Sequence, residues 1–426
     1  MIVVHFGTAQ SAIISLCRAF VNIIRLLLHS LLHRSLGAII WIMMEFRGLF
    51  SKPFVLFDID ATGLREHCDP LIEWLVCNDC TVVVAVADTE VSNYRKAGVP
   101  QGAWCISKGQ FNSFARKPAV CISFHPENGS SIAKKLAHTP TQRVVMQHGL
   151  SDKAAFGEIG KINPLADFDA LFLAGPIFLE GSLKTYRYRY PETYERLTFF
   201  EIGLPKTDVL FHGKYDRRMV LSELGLDLEK PTVCYAPTWE KWASLEKYGI
   251  AILDALSELP VNVIVKLHHA SLRHANDDWV LNDGHGGKDW KQLIDDLTKT
   301  RKNIKLAFGQ DAAPYLVASD LLVSDASGVA YEYVLLDRPV IFFDVPELFD
   351  HYGTEGIHYW GRECGDIVHN ISELKQQVLL NIECPNYKWQ ERRKWIDNIC
   401  YTRGDATIRA GMSVLKLAAS SKRIGV

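Results

Sequence analysis

Three stretches of the chain place titratable or anion-binding groups where an apolar run gives out. At VVMQHGLSD, His148 and Gly149 follow a run that reads as a strand. An imidazole there can act as a general base near neutral pH, and the glycine leaves room for a ligand. At IVKLHHAS, Lys266, His268 and His269 close a second run; strand alternation puts Lys266 and His268 on one face and His269 on the other, so one ring is expected to be structural. At LLVSDASGVAYEYVLLDRPVIFF, a strand is expected to end at Ser324 and Asp325, with a turn of small residues at Ala326, Ser327 and Gly328. The helix that follows would offer unpaired backbone N–H groups to a phosphate. Glu332, about one turn further on, would reach a ribose hydroxyl.

Each stretch also has a plainer reading. A histidine at a strand end can be satisfied within the core, and Ser or Asp before a helix can simply be its N-cap. Metal binding by His268, His269 and His274 is disfavoured, because adjacent strand side chains diverge and no carboxylate has the right spacing. Asp58 and Asp60 in FDIDATG resemble the nucleophile loop of haloacid-dehalogenase phosphatases, but that motif needs Gly after the second Asp and a later lysine and acidic pair. Turn-forming aspartates at a strand end fit better. Cys77 and Cys80 lack a second pair at zinc spacing, so they are expected to be buried thiols at a helix end.

The elements that must position these groups form two series. Apolar runs at 54–59, 81–86, 119–124, 143–147 and 170–174 read as buried parallel strands, with helical stretches between several of them. Runs at 232–237, 261–267, 303–308, 321–325 and 339–343 repeat the pattern, with helices expected at 246–259, 287–300, 327–336 and 371–380. The reading is an α/β protein with a Rossmann-like domain over 51–215, a second over 216–385, and a hinge region near 205–230. Two such domains facing each other make a cleft lined by strand ends from both. Residues 386–426 are expected to form a helix packed back on the first domain; Arg392, Arg393 and Lys394 there could instead extend a membrane-facing surface.

Composition narrows the class. With 426 residues, 48% hydrophobic and 23% charged, the chain suits two domains and an appendage, and its ten scattered cysteines fit a reducing compartment. A formal net charge of -2 gives no reason to expect nucleic acid as a partner. The appendage is residues 1–50. From Ser11 to Met44 no acidic residue occurs, and Ser11, Ser15, Arg18, Asn22, Arg25, His29 and His33 fall on one helical stripe. Interspersed arginines disfavour a spanning helix, so residues 11–47 read as an amphipathic helix lying in a membrane surface. A helix docked on the protein itself or on another subunit, and a mitochondrial presequence, share parts of this pattern.

QHG at 147–149, GLPKTD at 203–208, YAPTW at 235–239, KLH at 266–268 and SDASGVAYEYVLLDRPVIFF at 324–343 together resemble the CDP-glycerol glycerophosphotransferase family of teichoic acid primases and polymerases. The resemblance covers roughly residues 140–350 with the motifs in the family's order. It implies the GT-B architecture, a nucleotide bound mainly by the second domain, and a peripheral position on the cytoplasmic face of the cell membrane. It implies that His148 and His268 are catalytic. It places Lys266, Thr238, Ser324, Asp325, Ser327, Gly328 and Glu332 near the donor phosphates and ribose, with Gly149, Gly203, Pro205 and Asp208 in support. Lys206 stands for the usual Arg, His269 for Pro, Ala326 for an aromatic and Glu332 for Asp, and Glu240 follows YAPTW where Arg is common. No Arg-Gly aromatic segment follows Tyr352.

The expected reaction moves glycerol phosphate from CDP-glycerol, or a related CDP-alditol, to a hydroxyl of a lipid-linked or glycan acceptor with release of CMP. It calls for no metal and no cofactor, since backbone dipoles and cationic rings can stabilise the diphosphate. The other nucleotide reading is a UDP-sugar GT-B enzyme, a glycosyltransferase or a relative of UDP-N-acetylglucosamine 2-epimerase, whose nucleotide loop SDASGVAYE also resembles. A membrane-bound scaffold without turnover is the non-enzymatic one.

Overall fold

A computed structural model of the protein describes residues 52–421, apart from 61, 113, 115, 125–130, 151–162, 181, 273–287, 308, 310 and 353–361. The membrane-surface segment 11–47 and His274 therefore lie outside the described residues. Among the described residues no helix is long and apolar enough to cross a membrane.

The first sheet has seven parallel strands: β1 (Phe54–Ile59), β2 (Thr81–Val86), β3 (Trp104–Ser107), β4 (Val120–Ser123), β5 (Gln142–Met146), β6 (Ala170–Leu173) and β7 (Thr198–Glu201), in the order β3-β2-β1-β4-β5-β6-β7. Every residue of β1 and β2 is buried, because layers cover both faces of the sheet. Val55, Phe57, Val82 and Val84 pack into one core, whereas Phe54, Leu56, Val83 and Ala85 pack into another on the opposite face.

The second sheet has six parallel strands: β8 (Thr232–Tyr235), β9 (Asn262–Val265), β10 (Ile304–Leu306), β11 (Leu321–Ser324), β12 (Val340–Phe343) and β13 (Asp366–Val368), in the order β10-β9-β8-β11-β12-β13. Chain order reverses at β1/β4 in the first sheet and at β8/β11 in the second, so each has a switch point with a crevice at its strand ends. The strands expected from the sequence are all present. β3, β7 and β13 were not foreseen: they are sheet edges of three or four residues, partly exposed, and carry no long apolar run.

The helices used below are α1 (Arg65–Cys77), α2 (Ser244–Ser257), α3 (Gly328–Val334), α4 (Trp389–Ile399) and α5 (Ala406–Ser421). The C-terminal segment is two helices rather than one, broken where Gly404 adopts a positive φ of 92°. Asp208 restarts the helix, its two carboxylate oxygens accepting from Ala406 N at 3.0 Å and Thr407 N at 2.7 Å. α5 then packs on the first domain: Ala410, Val414 and Leu417 join the core beneath β1, and Trp74 of α1 lies over Gly411. Gly203 sits at φ +88°, and a Cβ there would lie 2.9 Å from Thr402 Cγ2.

Two expectations need correcting. Arg392 is buried rather than membrane-facing; it pairs with Asp337, which also binds Arg393, and donates to the Pro385 carbonyl at 2.9 Å. Cys77 is exposed at the end of α1, so of this pair Cys80 alone is buried, its pKa pushed up to about 11 by burial.

Candidate active site between the two sheets

On the second sheet, the ends of β8 and β11 are tied together by Asp325. Its carboxylate accepts from Thr238 N (2.8 Å), Ala326 N (2.7 Å), Ser244 N (3.0 Å) and Ser244 Oγ (2.7 Å). All the acceptor sites of a carboxylate are thereby used. Burial raises its pKa above the ordinary carboxylate value while these donors oppose the rise. Ser324 Oγ donates to the Ala236 carbonyl at 2.7 Å. Both residues were expected beside the donor phosphates, and both spend their side chains holding the Ala236–Trp239 loop. Any part they take in binding runs through that loop. Thr238 is buried, Ser327 is the extended N-cap residue of α3 with no side-chain cap bond, and Gly328 opens the helix half-buried.

The histidine pair does not obey strand alternation. β9 ends at Val265, and His269 already begins a 3-10 turn over His269–Leu272. Once the extended backbone stops, nothing forces neighbouring side chains apart: both rings are exposed, with centroids 4.1 Å apart. His269 therefore does not point away into a core as alternation required. His268 lies 6.1 Å from the Trp239 ring in a stacked arrangement, and its Nδ1 accepts from Ala270 N at 3.2 Å. Lys266 is buried behind them, with Nζ donating to the carbonyls of Leu267 (3.2 Å) and Gly309 (3.3 Å); burial lowers its pKa.

On the first sheet, Gln147 fixes the loop after β5 by accepting from Ala174 N at 2.7 Å. His148 follows, its Nδ1 donating to the Phe124 carbonyl at 3.0 Å. No described atom lies within 4 Å of where a Cβ on Gly149 would be.

The segment Gly63–His67, at the carboxyl side of β1, meets both histidine sites. A Cβ on Gly63 would lie 3.8 Å from His269 Cε1. Four residues on, the His67 ring stands edge-on to His148, with centroids 5.8 Å apart and planes at 89°. Beside it, Glu66 Oε1 is 3.5 Å from His67 Nε2 and 3.6 Å from Lys206 Nζ, and that ammonium pairs with Glu332 at 2.8 Å. Positions 148, 206, 269 and 332 are thus linked through one short stretch that sequence reasoning passed over. Its only signal was a pair of titratable residues just beyond the end of β1, next to the FDIDATG aspartates. Those aspartates are bridged by the Lys108 ammonium, which lies 2.6 Å from Asp58.

Burial acts to lower the Lys206 pKa, but Glu332 and Glu66 outweigh it and hold the ammonium above its ordinary value. Burial raises the Glu332 pKa above the ordinary carboxylate value, the Lys206 ammonium opposing the rise and the Glu66 carboxylate adding to it. A cavity of about 680 Å³ opens alongside, lined by Glu66, Trp74, Lys206, Asp311, Glu332 and Ile408. Pro205 lines it too, at the start of the 3-10 turn Pro205–Leu210 that carries Lys206.

Two doubly wound parallel sheets with facing strand ends define a fold of the GT-B type. The wall teichoic acid polymerase TagF shares it with a TM-score of 0.61 at 16% identity, covering 88% of this chain and 90% of that one. UDP-GlcNAc 2-epimerase from Neisseria meningitidis shares it at 0.56 and 15%, covering 85% and 100%. Sequence carries the assignment further. Residues 184–410, over half of the chain, match the model of the CDP-Glycerol:Poly(glycerophosphate) glycerophosphotransferase family, and the protein belongs to that family. It is 26% identical over 220 residues to the teichoic acid glycerol-phosphate primase of Bacillus spizizenii, covering 49% of this chain and 50% of that protein. It is 27% identical over 231 residues to the teichoic acid glycerol-phosphate transferase of Staphylococcus aureus, covering 51% and 54%. The chain spans about half the length of the curated relatives it matches.

Proposed function

We propose that the protein transfers glycerol phosphate, or a related alditol phosphate, from its CDP ester to a hydroxyl of a lipid-linked or glycan acceptor, releasing CMP, in teichoic-acid-like or surface polysaccharide synthesis. Family membership supports the donor class. The observation that carries the mechanism is the pair of backbone contacts that assign opposite tautomers to His148 and His268. With Nδ1–H given to the Phe124 carbonyl, His148 presents an unprotonated Nε2. With Nδ1 accepting from Ala270 N, His268 carries its proton on Nε2.

His148 Nε2 takes the proton from the acceptor hydroxyl as the oxygen attacks the phosphorus that bears the glycerol. The bond from that phosphorus to the bridging oxygen breaks, and the oxygen leaves with CMP, which carries the electron pair. His268 Nε2–H, backed by the charge of Lys266, stabilises negative charge gathering on the departing phosphate. The N–H groups near Ser327 and Gly328 line the same end of the sheet, and Glu332 orients the ribose side through Lys206. Residues 11–47 keep the enzyme at the cytoplasmic face of the membrane as a peripheral protein, where a lipid-linked acceptor is presented.

The donor is tested directly by incubating the full chain with CDP-glycerol, CDP-ribitol or UDP-N-acetylglucosamine and following CMP, UDP or epimer. Acceptor-dependent CMP release from a CDP-alditol is expected. Turnover confined to the UDP-sugar would replace this reading with the epimerase-like one.

A further inference from the structure

We infer that Glu66 and His67 are positioning residues for His148, aiming its Nε2 at the acceptor hydroxyl. The inference rests on the assignment of His148 as the base. Neither residue lies within the family-matched stretch 184–410.

The argument begins with what the Phe124 carbonyl can and cannot do. A hydrogen bond at Nδ1 sets the tautomer of an imidazole, but the ring can still tilt about that contact, and a tilt of some tens of degrees displaces Nε2 by about 1 Å. A wall perpendicular to the ring removes that motion. His67 provides one: it is buried in the first turn of α1, with its plane at 89° to that of His148. The wall is itself held. Glu66 lies beside its Nε2, Glu66 faces Lys206, and Lys206 binds Glu332 of α3 in the second domain. The aim of the base in one domain is thereby tied to the helix that borders the donor site in the other. A polar wall of this kind is a costly way to fill space, because the buried His67 imidazole needs partners that an apolar side chain would not. The geometry accounts for the cost if the wall sets direction as well as volume.

The test is a double-mutant cycle read by CMP release from CDP-glycerol. His67→Asn and Glu66→Gln are each expected to lower kcat about tenfold to hundredfold, as losses of supporting residues do. For His67→Asn the KM for CDP-glycerol should stay within about twofold, because His67 is not among the residues placed at the donor. Glu66→Asp should recover part of the loss. In a His148→Asn background, His67→Asn should add less than about a twofold further loss. The inference is overturned if His67→Asn leaves kcat unchanged, or if its full effect persists without His148, which would mark it as merely structural. Wild-type turnover by His148→Asn alone would instead remove the base assignment, and the inference with it. Full loss in His148→Asn with no effect of His67→Asn would remove the inference alone.

Discussion

His148 and His268 come from different domains, and backbone contacts hold them in opposite tautomers: Nδ1 of His148 faces the Phe124 carbonyl oxygen, whereas Nδ1 of His268 faces the Ala270 amide. In the proposed mechanism one ring accepts a proton at Nε2 and the other donates a hydrogen bond from it. A backbone carbonyl facing one imidazole and a backbone amide facing the other favour different tautomers of identical side chains.

This asymmetry makes a substitution test. A glutamine amide can donate a hydrogen bond from about the place of a histidine Nε2 but cannot accept a proton. His268→Gln should therefore keep part of the activity, whereas His148→Gln should lose about 10²- to 10⁴-fold in kcat. Equal losses in steady-state CMP release would contradict the assigned roles.

Lys206 Nζ pairs with Glu332 Oε1 at 2.8 Å, and both side chains are largely buried. Replacing it with methionine leaves two carboxylates facing each other without their ammonium, and should cost about 3–5 kcal/mol in urea unfolding. The pH dependence has a defined sign. Because the folded-state pKa of Lys206 is raised, its contribution is complete below the ordinary lysine value of about 10.4 and is lost as pH rises through the folded-state value. The stability difference between wild type and Lys206→Met should be flat from neutral pH to about 10 and shrink above it.

Asp325→Asn exchanges one acceptor oxygen for an NH₂ group that would face N–H and O–H donors. It should destabilise the fold by about 1–3 kcal/mol and release the Ala236–Trp239 loop, raising the KM for the CDP donor. Ser244→Ala removes one donor to the same carboxylate and should do less. Calorimetry and donor titration of the two variants separate the effects.

At the junction with the C-terminal helix, Gly203→Ala must place a Cβ at positive φ against Thr402 and Ala406, and should cost about 1–3 kcal/mol. Asp208→Ala removes the acceptor for the first two amides of α5, at roughly 0.5–2 kcal/mol. Urea midpoints check both.

The long strands were legible because burial on two faces demands unbroken apolar residues, as in FVLFDI and TVVVAV. β3 and β7 were not, since an edge strand such as TFFE needs no such run. At the candidate site, type and place in the chain singled out the histidines, but the arrangement of His268 and His269 was missed. Alternation was carried past Val265, where the extended backbone stops. The role of Gly63–His67 could not be read at all. Its partners lie at 148, 206 and 269, and only folding brings them to the end of β1.

The most direct measurement of the central claim is the stoichiometry of CMP released to glycerol phosphate transferred, for wild type and His148→Asn with CDP-glycerol and a hydroxyl acceptor. The account predicts one CMP for each glycerol phosphate with the wild type, and loss of both products together in the variant. Undiminished transfer by His148→Asn, or CMP formed without any transfer to the acceptor, would contradict it.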